Sequence, residues 1–255
     1  MLQVKELFKK YKNKNILNDV SIKFSKGKVT ALVGPNGVGK TTLLKILMGL
    51  ESQTSGEIFF NEENITKLST HKRVKKGISY MSQFSSAITD LTVEDNLYLI
   101  PPQGNMVIES DDPTIIKKTR KRELLAIETE YREYLLKEFD LQSVRNSRCK
   151  NLSGGELKKL EFCLCMATRP KVILLDEPFA GLDPKSIKLI IKMILQLQSL
   201  QESSNKLTLI IVDHRIDQIK ELASEYILLY EKEVKFSGNK EEFFFDKLVK
   251  EYFLG

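Results

Sequence analysis

The chain has 255 residues, 42% apolar and 29% charged, with 40 Lys and Arg against 34 Asp and Glu for a net charge of +6. This composition excludes a disordered chain. The longest uncharged runs, Gly77–Thr89 and Asn96–Ile108, are too short and too polar for the roughly 20 apolar residues of a membrane-spanning helix. The N-terminus carries no basic flank followed by an apolar stretch, so no secretory signal is expected. Cys149, Cys163 and Cys165 lack the partners of a zinc site and form no disulfide framework; they read as small buried side chains in a reducing cytosol. The lysines are scattered, which reads as a solvated face, and no nucleic-acid partner is expected.

Alternation predicts strands over Leu2–Phe8 and Ser21–Phe24. Lys28–Val33, ending in an apolar run between Gly27 and Gly34, suits a buried strand. Thr41–Gly49 has the spacing of a short helix closed by Gly49, and Gly56–Phe60 and Ile78–Met81 are further strands. From Asp90 to Asn151 the chain turns helical and charged, broken by Pro101-Pro102-Gln103-Gly104. Within it, Ile115–Leu141 carries Leu124, Ile127, Tyr131, Tyr134 and Leu135 at helical spacing. A helix follows over Leu157–Ala167. Val172–Leu175 and Leu207–Val212 are apolar runs of the buried parallel-strand type, with an amphipathic helix, Pro184–Leu200, between them. The expectation is an α/β core over residues 1–89 and 152–255 with a largely parallel sheet, and a helical subdomain inserted at 90–151.

Gly34-Pro35-Asn36-Gly37-Val38-Gly39-Lys40-Thr41 fits the phosphate-loop pattern between a predicted strand and a predicted helix. Glycines let successive backbone N–H groups turn inward toward phosphate oxygens, and the helix start adds its positive end. Lys40 supplies a cation for the β- and γ-phosphates, and the Thr41 hydroxyl can ligate Mg²⁺. Val172–Leu175 runs into Asp176-Glu177, two acids at the ligand edge of a buried parallel sheet. Asp176 is placed to hold Mg²⁺, and Glu177 to polarise a water for attack on the γ-phosphate.

Leu152-Ser153-Gly154-Gly155-Glu156 precedes the Leu157–Ala167 helix, with Ser153 as N-cap and two glycines exposing N–H groups. Phosphate loop, helical insert, this signature and the acid pair, in that order, resemble the ATP-binding cassette (ABC) ATPases over nearly the whole chain. The resemblance implies a P-loop NTPase core of mostly parallel sheet flanked by helices, with an antiparallel N-terminal subdomain and an inserted helical subdomain. It implies ATP and Mg²⁺ as ligands, with Gly34, Pro35, Asn36, Gly37, Gly39, Lys40, Thr41 and Thr42 around the nucleotide. It further implies Gln83 as the link from Mg²⁺ and attacking water to a transport partner, and His214 as the switch that contacts the γ-phosphate. Asp183, in Ala180-Gly181-Leu182-Asp183, is implied to signal across a dimer, and Tyr11 to stack on adenine. The implied assembly is a homodimer in which Gly34–Thr41 of one copy and Ser153–Gly155 of the other enclose one ATP. It would drive integral membrane permease subunits from the cytoplasmic face of the inner membrane.

Glu156 stands where many members have Gln, and Leu164 and the two nearby cysteines replace common Ala and Arg residues, without loss of a catalytic position. Asp176–Pro184, Lys76–Tyr80 and Leu91–Leu97 resemble the branch that serves lipopolysaccharide export and branched-chain amino-acid import. Val212-Asp213-His214 and the ending Tyr252-Phe253-Leu254-Gly255 lean toward export. Ile100–Tyr134 is longer than that branch usually has and contains Lys117-Lys118-Thr119-Arg120-Lys121-Arg122, either a solvated helix face or a contact with anionic lipid or a partner. Phe84, Ile88 and Leu91 fall where the family builds a groove for a permease helix. A soluble cassette of cofactor assembly is the competing class. A chromosome-maintenance ATPase would need a long heptad insertion, and a translation-factor cassette two phosphate loops.

Overall fold

The computed structural model describes residues 1–101, 126, 128–199, 206–214 and 216–251. Apolar residues at Leu2, Val4 and Leu7 fill the inner face of β1 (Leu2–Tyr11), which pairs antiparallel with β2 (Lys14–Phe24). Both strands outrun the alternation in the sequence. A bulge near Glu6, at φ 46°, breaks the period, and the charged hairpin ends pair Tyr11 with Lys14 without an apolar face to announce them. β3 (Val29–Val33) is buried throughout and feeds the phosphate loop, after which α1 (Lys40–Met48) closes on Gly49 in the left-handed conformation. β4 (Ser55–Phe60) and the short β5 (Glu63–Asn64) complete an antiparallel sheet of order β2-β1-β4-β5.

α2 (Thr70–Lys76) carries Arg73, only 2% exposed. Its guanidinium donates to the carbonyls of Ile46 (2.6 Å), Leu47 (2.8 Å), Thr66 (2.9 Å) and Leu68 (3.0 Å). Two of these belong to the last turn of α1, where a helix leaves its carbonyls without internal partners. Burial pulls the Arg73 pKa down, and the four carbonyls keep it a clamp between α1 and α2. Arg73→Leu, which keeps much of the volume but no donor, is expected to cost about 2–4 kcal/mol of stability. Urea unfolding reads this directly; an unchanged midpoint would remove the clamp. β6 (Ile78–Met81) follows, with the expected limits.

The segment Ser85–Arg169 forms a packing unit of its own. α3 (Val93–Tyr98) opens with a capping box between Thr92 and Asp95. α4 spans residues 128–138. Arg145 bridges the two, with Nη2 2.5 Å from Glu94 Oε1 and 2.9 Å from Glu133 Oε1. α5 (Gly154–Ala167) belongs to the same unit: the Tyr131 hydroxyl donates to the Met166 carbonyl, and Lys159 pairs with Asp140. Composition groups 152–169 with the second α/β half, whereas packing groups it with the helices, because α5 buries its apolar side against them. The three cysteines are buried thiols in this unit. Pro102–Gly104, Leu124, Ile127 and the basic run Lys117–Arg122 lie outside the described residues, as do Leu200 and Tyr252–Gly255.

The chain then returns to the first unit, Met1–Phe84 with Pro170–Gly255. It adds β7 (Val172–Asp176), α6 (Pro184–Ser199), β8 (Thr208–Val212), α7 (Ile216–Leu222), β9 (Glu225–Tyr230), β10 (Glu233–Asn239) and α8 (Lys240–Phe245). The second sheet has the order β10-β9-β3-β8-β7-β6, parallel except for the edge strand β10. Parallel strands buried on both faces read as continuous apolar runs, which is why β3, β7 and β8 were visible in the sequence. One apolar cluster joins inward residues of both sheets to Leu43, Leu44, Ile46 and Leu47 of α1. That packing holds α1 with its N-terminus at the carboxyl ends of β3, β7 and β8. The fold is thus the expected α/β core with an antiparallel N-terminal sheet.

Candidate active site

β3 delivers Gly34 to a position next to β9, where a Cβ would stand 2.0 Å from the Leu229 carbonyl oxygen. Only glycine fits there. Gly39, at φ 109°, is similarly pressed against Ile16 and Leu17 of β2. The loop between them turns its backbone around Lys40, which is 6% exposed. Lys40 Nζ donates to the carbonyls of Gly34 (2.6 Å) and Pro35 (2.8 Å), using two of its three protons. Burial lowers its pKa, and the nearby Glu177 and Asp176 work against that shift.

Asp176, at the end of β7, is 1% exposed. Its Oδ1 accepts from the Thr41 hydroxyl (2.9 Å) and its Oδ2 from the Tyr80 hydroxyl (3.0 Å). Burial pushes its pKa up, and these two hydrogen bonds oppose the rise. Glu177 sits at φ 50°, a left-handed conformation of the kind held at functional sites by surrounding structure. Its N–H donates to the Val212 carbonyl at the end of β8 (2.7 Å). Its carboxylate is placed between two partners from separate strands' ends. Gln83 Nε2 donates to Oε2 (2.8 Å), and His214 Nε2 donates to Oε1 (2.9 Å). Asp213, buried beside His214, accepts from the Phe179 N–H (3.3 Å) and ties the loop after Glu177 to the end of β8.

A cavity of about 390 Å³ opens among these groups, lined by Ile16, Asn36, Gly37, Gly39, Lys40, Thr41, Thr42, Glu177, Val212 and His214. Backbone amides, a buried ammonium and the start of α1 converge on it, an arrangement suited to a polyphosphate. A larger depression of about 490 Å³ on the antiparallel sheet, lined by Met1, Gln3, Lys5, Phe59, Asn61 and Glu62, has no such donors at a helix start. Among the described residues no group of three or more His, Cys, Asp or Glu could hold a metal ion. Thr41 and Asp176 instead offer one hydroxyl and one carboxylate oxygen side by side.

Some expected site residues are not among those that line this cavity. Tyr11, at the end of β1, does not line it; its hydroxyl donates to Glu51, and Lys9 Nζ lies 4.4 Å from its ring centre. Asp183 caps α6 by accepting from the N–H groups of Lys185 (2.9 Å) and Ser186 (3.1 Å), and the Ser186 hydroxyl holds its pKa below the usual range. Ser153, Gly154 and Gly155 start α5 in the helical unit. There Glu156 closes a capping box: its Oε2 accepts from Ser153 N (2.8 Å) and Ser153 Oγ (2.7 Å). The carboxylate in place of Gln strengthens that cap by adding negative charge to the first turn.

Sequence reasoning missed Ile16, Tyr80 and Asp213. The only signal for Ile16 is its place in the strand that faces the glycine loop, and that strand was not expected to begin before Ser21. Asp213 was noted only as the neighbour of His214.

A family profile described as ABC transporter matches residues 17–180. The chain is 31% identical over 255 residues to the lipopolysaccharide export system ATP-binding protein LptB of Acidithiobacillus ferridurans, covering 100% of this chain and 97% of that protein. It is 34% identical over 242 residues to a probable branched-chain amino acid transport ATP-binding protein LivF of Archaeoglobus fulgidus, covering 95% and 93%. The solved structure of a nucleotide-free ATP-binding cassette from an ABC transporter matches with a TM-score of 0.82 at 25% identity, covering 100% of this chain and 99% of that one. Profile, full-length relatives and fold agree with the residues, and the chain belongs to the ABC transporter family as one of its ATP-binding cassette ATPases.

Proposed function

We propose that this ATPase is the motor subunit of a lipopolysaccharide exporter. It hydrolyses ATP in the cavity between the glycine loop and Glu177, and drives a separate membrane permease. The observation that carries the chemistry is Glu177 held by Gln83 and His214 at the mouth of a cavity that contains Lys40. The glycine loop and Lys40 bind the phosphates, and Glu177 takes a proton from the attacking water. His214 and Gln83 orient that carboxylate, and His214, which lines the same cavity, is assigned to contact the γ-phosphate. Thr41 and Asp176, hard oxygen donors, fit Mg²⁺ and would hold it together with the Gln83 amide oxygen. When bound, Mg²⁺ neutralises charge on the β- and γ-phosphates.

Two copies of the chain act together: the Gly34–Thr41 loop of one and the Ser153–Gly155 helix start of the other close on one ATP, and hydrolysis releases them. Phe84, 80% exposed, and the exposed Ile88 support a permease contact, since large apolar side chains on a surface mark interaction sites. Among the described residues no helix is long and apolar enough to cross a membrane, so the spanning part is assigned to the permease. Full-length similarity to LptB favours export, with branched-chain amino-acid import as the second reading because of the LivF-like relative.

Depleting the protein in its own cell is expected to strand lipopolysaccharide at the inner membrane. Normal delivery to the surface would reject export. Purification in mild detergent is expected to retain a membrane protein; recovery with soluble partners alone would instead support the cofactor-assembly class.

A further inference from the structure

We propose that Tyr80 is a positioning residue that holds the Asp176 carboxylate in the orientation that presents Oδ1 beside Thr41. The inference rests on the proposed role of Asp176 and Thr41 as the Mg²⁺-holding pair.

The geometry follows from strand register. β6 and β7 run parallel, with Tyr80 opposite Leu174. Residues 174 and 176 lie on the same face of β7, because side chains alternate along a strand. Tyr80 therefore shares a face with Asp176 but sits two residues short of it, a step of roughly 6.6 Å. A phenol is long enough to span that step. Its ring packs against the core cluster around α1, and its hydroxyl reaches Asp176 Oδ2 at 3.0 Å. Thr41, from the first turn of α1, reaches the other oxygen at 2.9 Å. Two donors on two elements thus fix both oxygens of one buried carboxylate and define its plane.

The two hydroxyls are not equivalent. Thr41 lines the nucleotide cavity, whereas Tyr80 does not. Thr41 can turn its oxygen toward a cation; Tyr80 remains as the donor on Oδ2 and keeps the carboxylate from swinging. A phenol hydroxyl is an O–H donor at neutral pH, so Tyr80 can serve as the donor to Oδ2. With Phe at position 80 the ring still fills its place, but Oδ2 is left buried without that donor, a costly arrangement.

The test uses the full chain and Mn²⁺ as the probe, read by loss of the free-ion electron paramagnetic resonance signal with a non-hydrolysable ATP analogue bound. Tyr80→Phe is expected to weaken Mn²⁺ binding about tenfold, the scale of one hydrogen bond to a charged group. Analogue affinity measured in EDTA should stay at the wild-type value. Unchanged Mn²⁺ affinity, or an equal fall in metal-free analogue affinity, overturns the role of Tyr80. Asp176→Asn separates the two layers: if it retains wild-type Mn²⁺ affinity, the metal assignment itself fails, whatever Tyr80→Phe does. If Tyr80→Phe does not fold, fluorotyrosine at position 80 replaces it. Its ¹⁹F resonance should shift when Mg²⁺ joins the nucleotide complex and should not shift in Asp176→Asn. A resonance that ignores Mg²⁺ in the otherwise wild-type chain overturns the proposal.

Discussion

Glu177→Gln is expected to lower ATP turnover by about 10²–10⁴-fold, the usual contribution of a positioned general base. Gln has nearly the same shape as Glu, so the left-handed turn at φ 50° and the backbone bond to Val212 should survive. The amide cannot accept a proton from water. ATP binding should change little, because the proposed phosphate-binding groups are Lys40, the loop amides and Thr41 rather than Glu177. A phosphate-release assay beside a nucleotide titration reads both effects. Equal turnover in the variant and the wild type would remove the base assignment. A parallel loss of binding would point to a role for Glu177 in holding the loop.

The second large effect is expected at Lys40. Lys40→Met removes a buried ammonium that bonds the carbonyls of Gly34 and Pro35 and that faces the phosphate cavity. Losing one partner of a buried charged pair costs about 2–5 kcal/mol, so ATP affinity should fall roughly thirtyfold or more. Lys40→Arg should not restore it. The guanidinium is larger and planar, and the loop is closed around a compact point charge. Titration in the presence and absence of Mg²⁺ separates the charge contributed by Lys40 from that of the Mg²⁺ proposed to bind at Asp176. Wild-type affinity in Lys40→Met would mean that the loop amides alone carry the phosphates.

Local rules made much of this protein legible in its sequence. The glycine loop between a strand and a helix, the Gly49 stop of α1, the Ser153 cap of α5 and the Pro184 start of α6 each depend on a few adjacent residues. So do the apolar runs of β3, β7 and β8. The β1–β2 hairpin was harder, because its last turns are charged on both faces and a bulge interrupts the alternation. The grouping of α5 with the helical unit was hidden for another reason: its partners, α3 and α4, are distant in the chain.

By itself, then, the sequence determined the α/β class, the phosphate-binding loop, the acid pair and the family, since each is written in contiguous residues whose backbone needs are local. Tertiary structure alone decided which side chains converge. The Gln83–Glu177–His214 contacts join three strand ends, and the Tyr80–Asp176 bond spans 96 positions. The Arg73 clamp, likewise, exists only because α2 folds back on the last turn of α1. Such contacts are set by the register of parallel strands and the packing of α1 against them, quantities that no short stretch of sequence encodes.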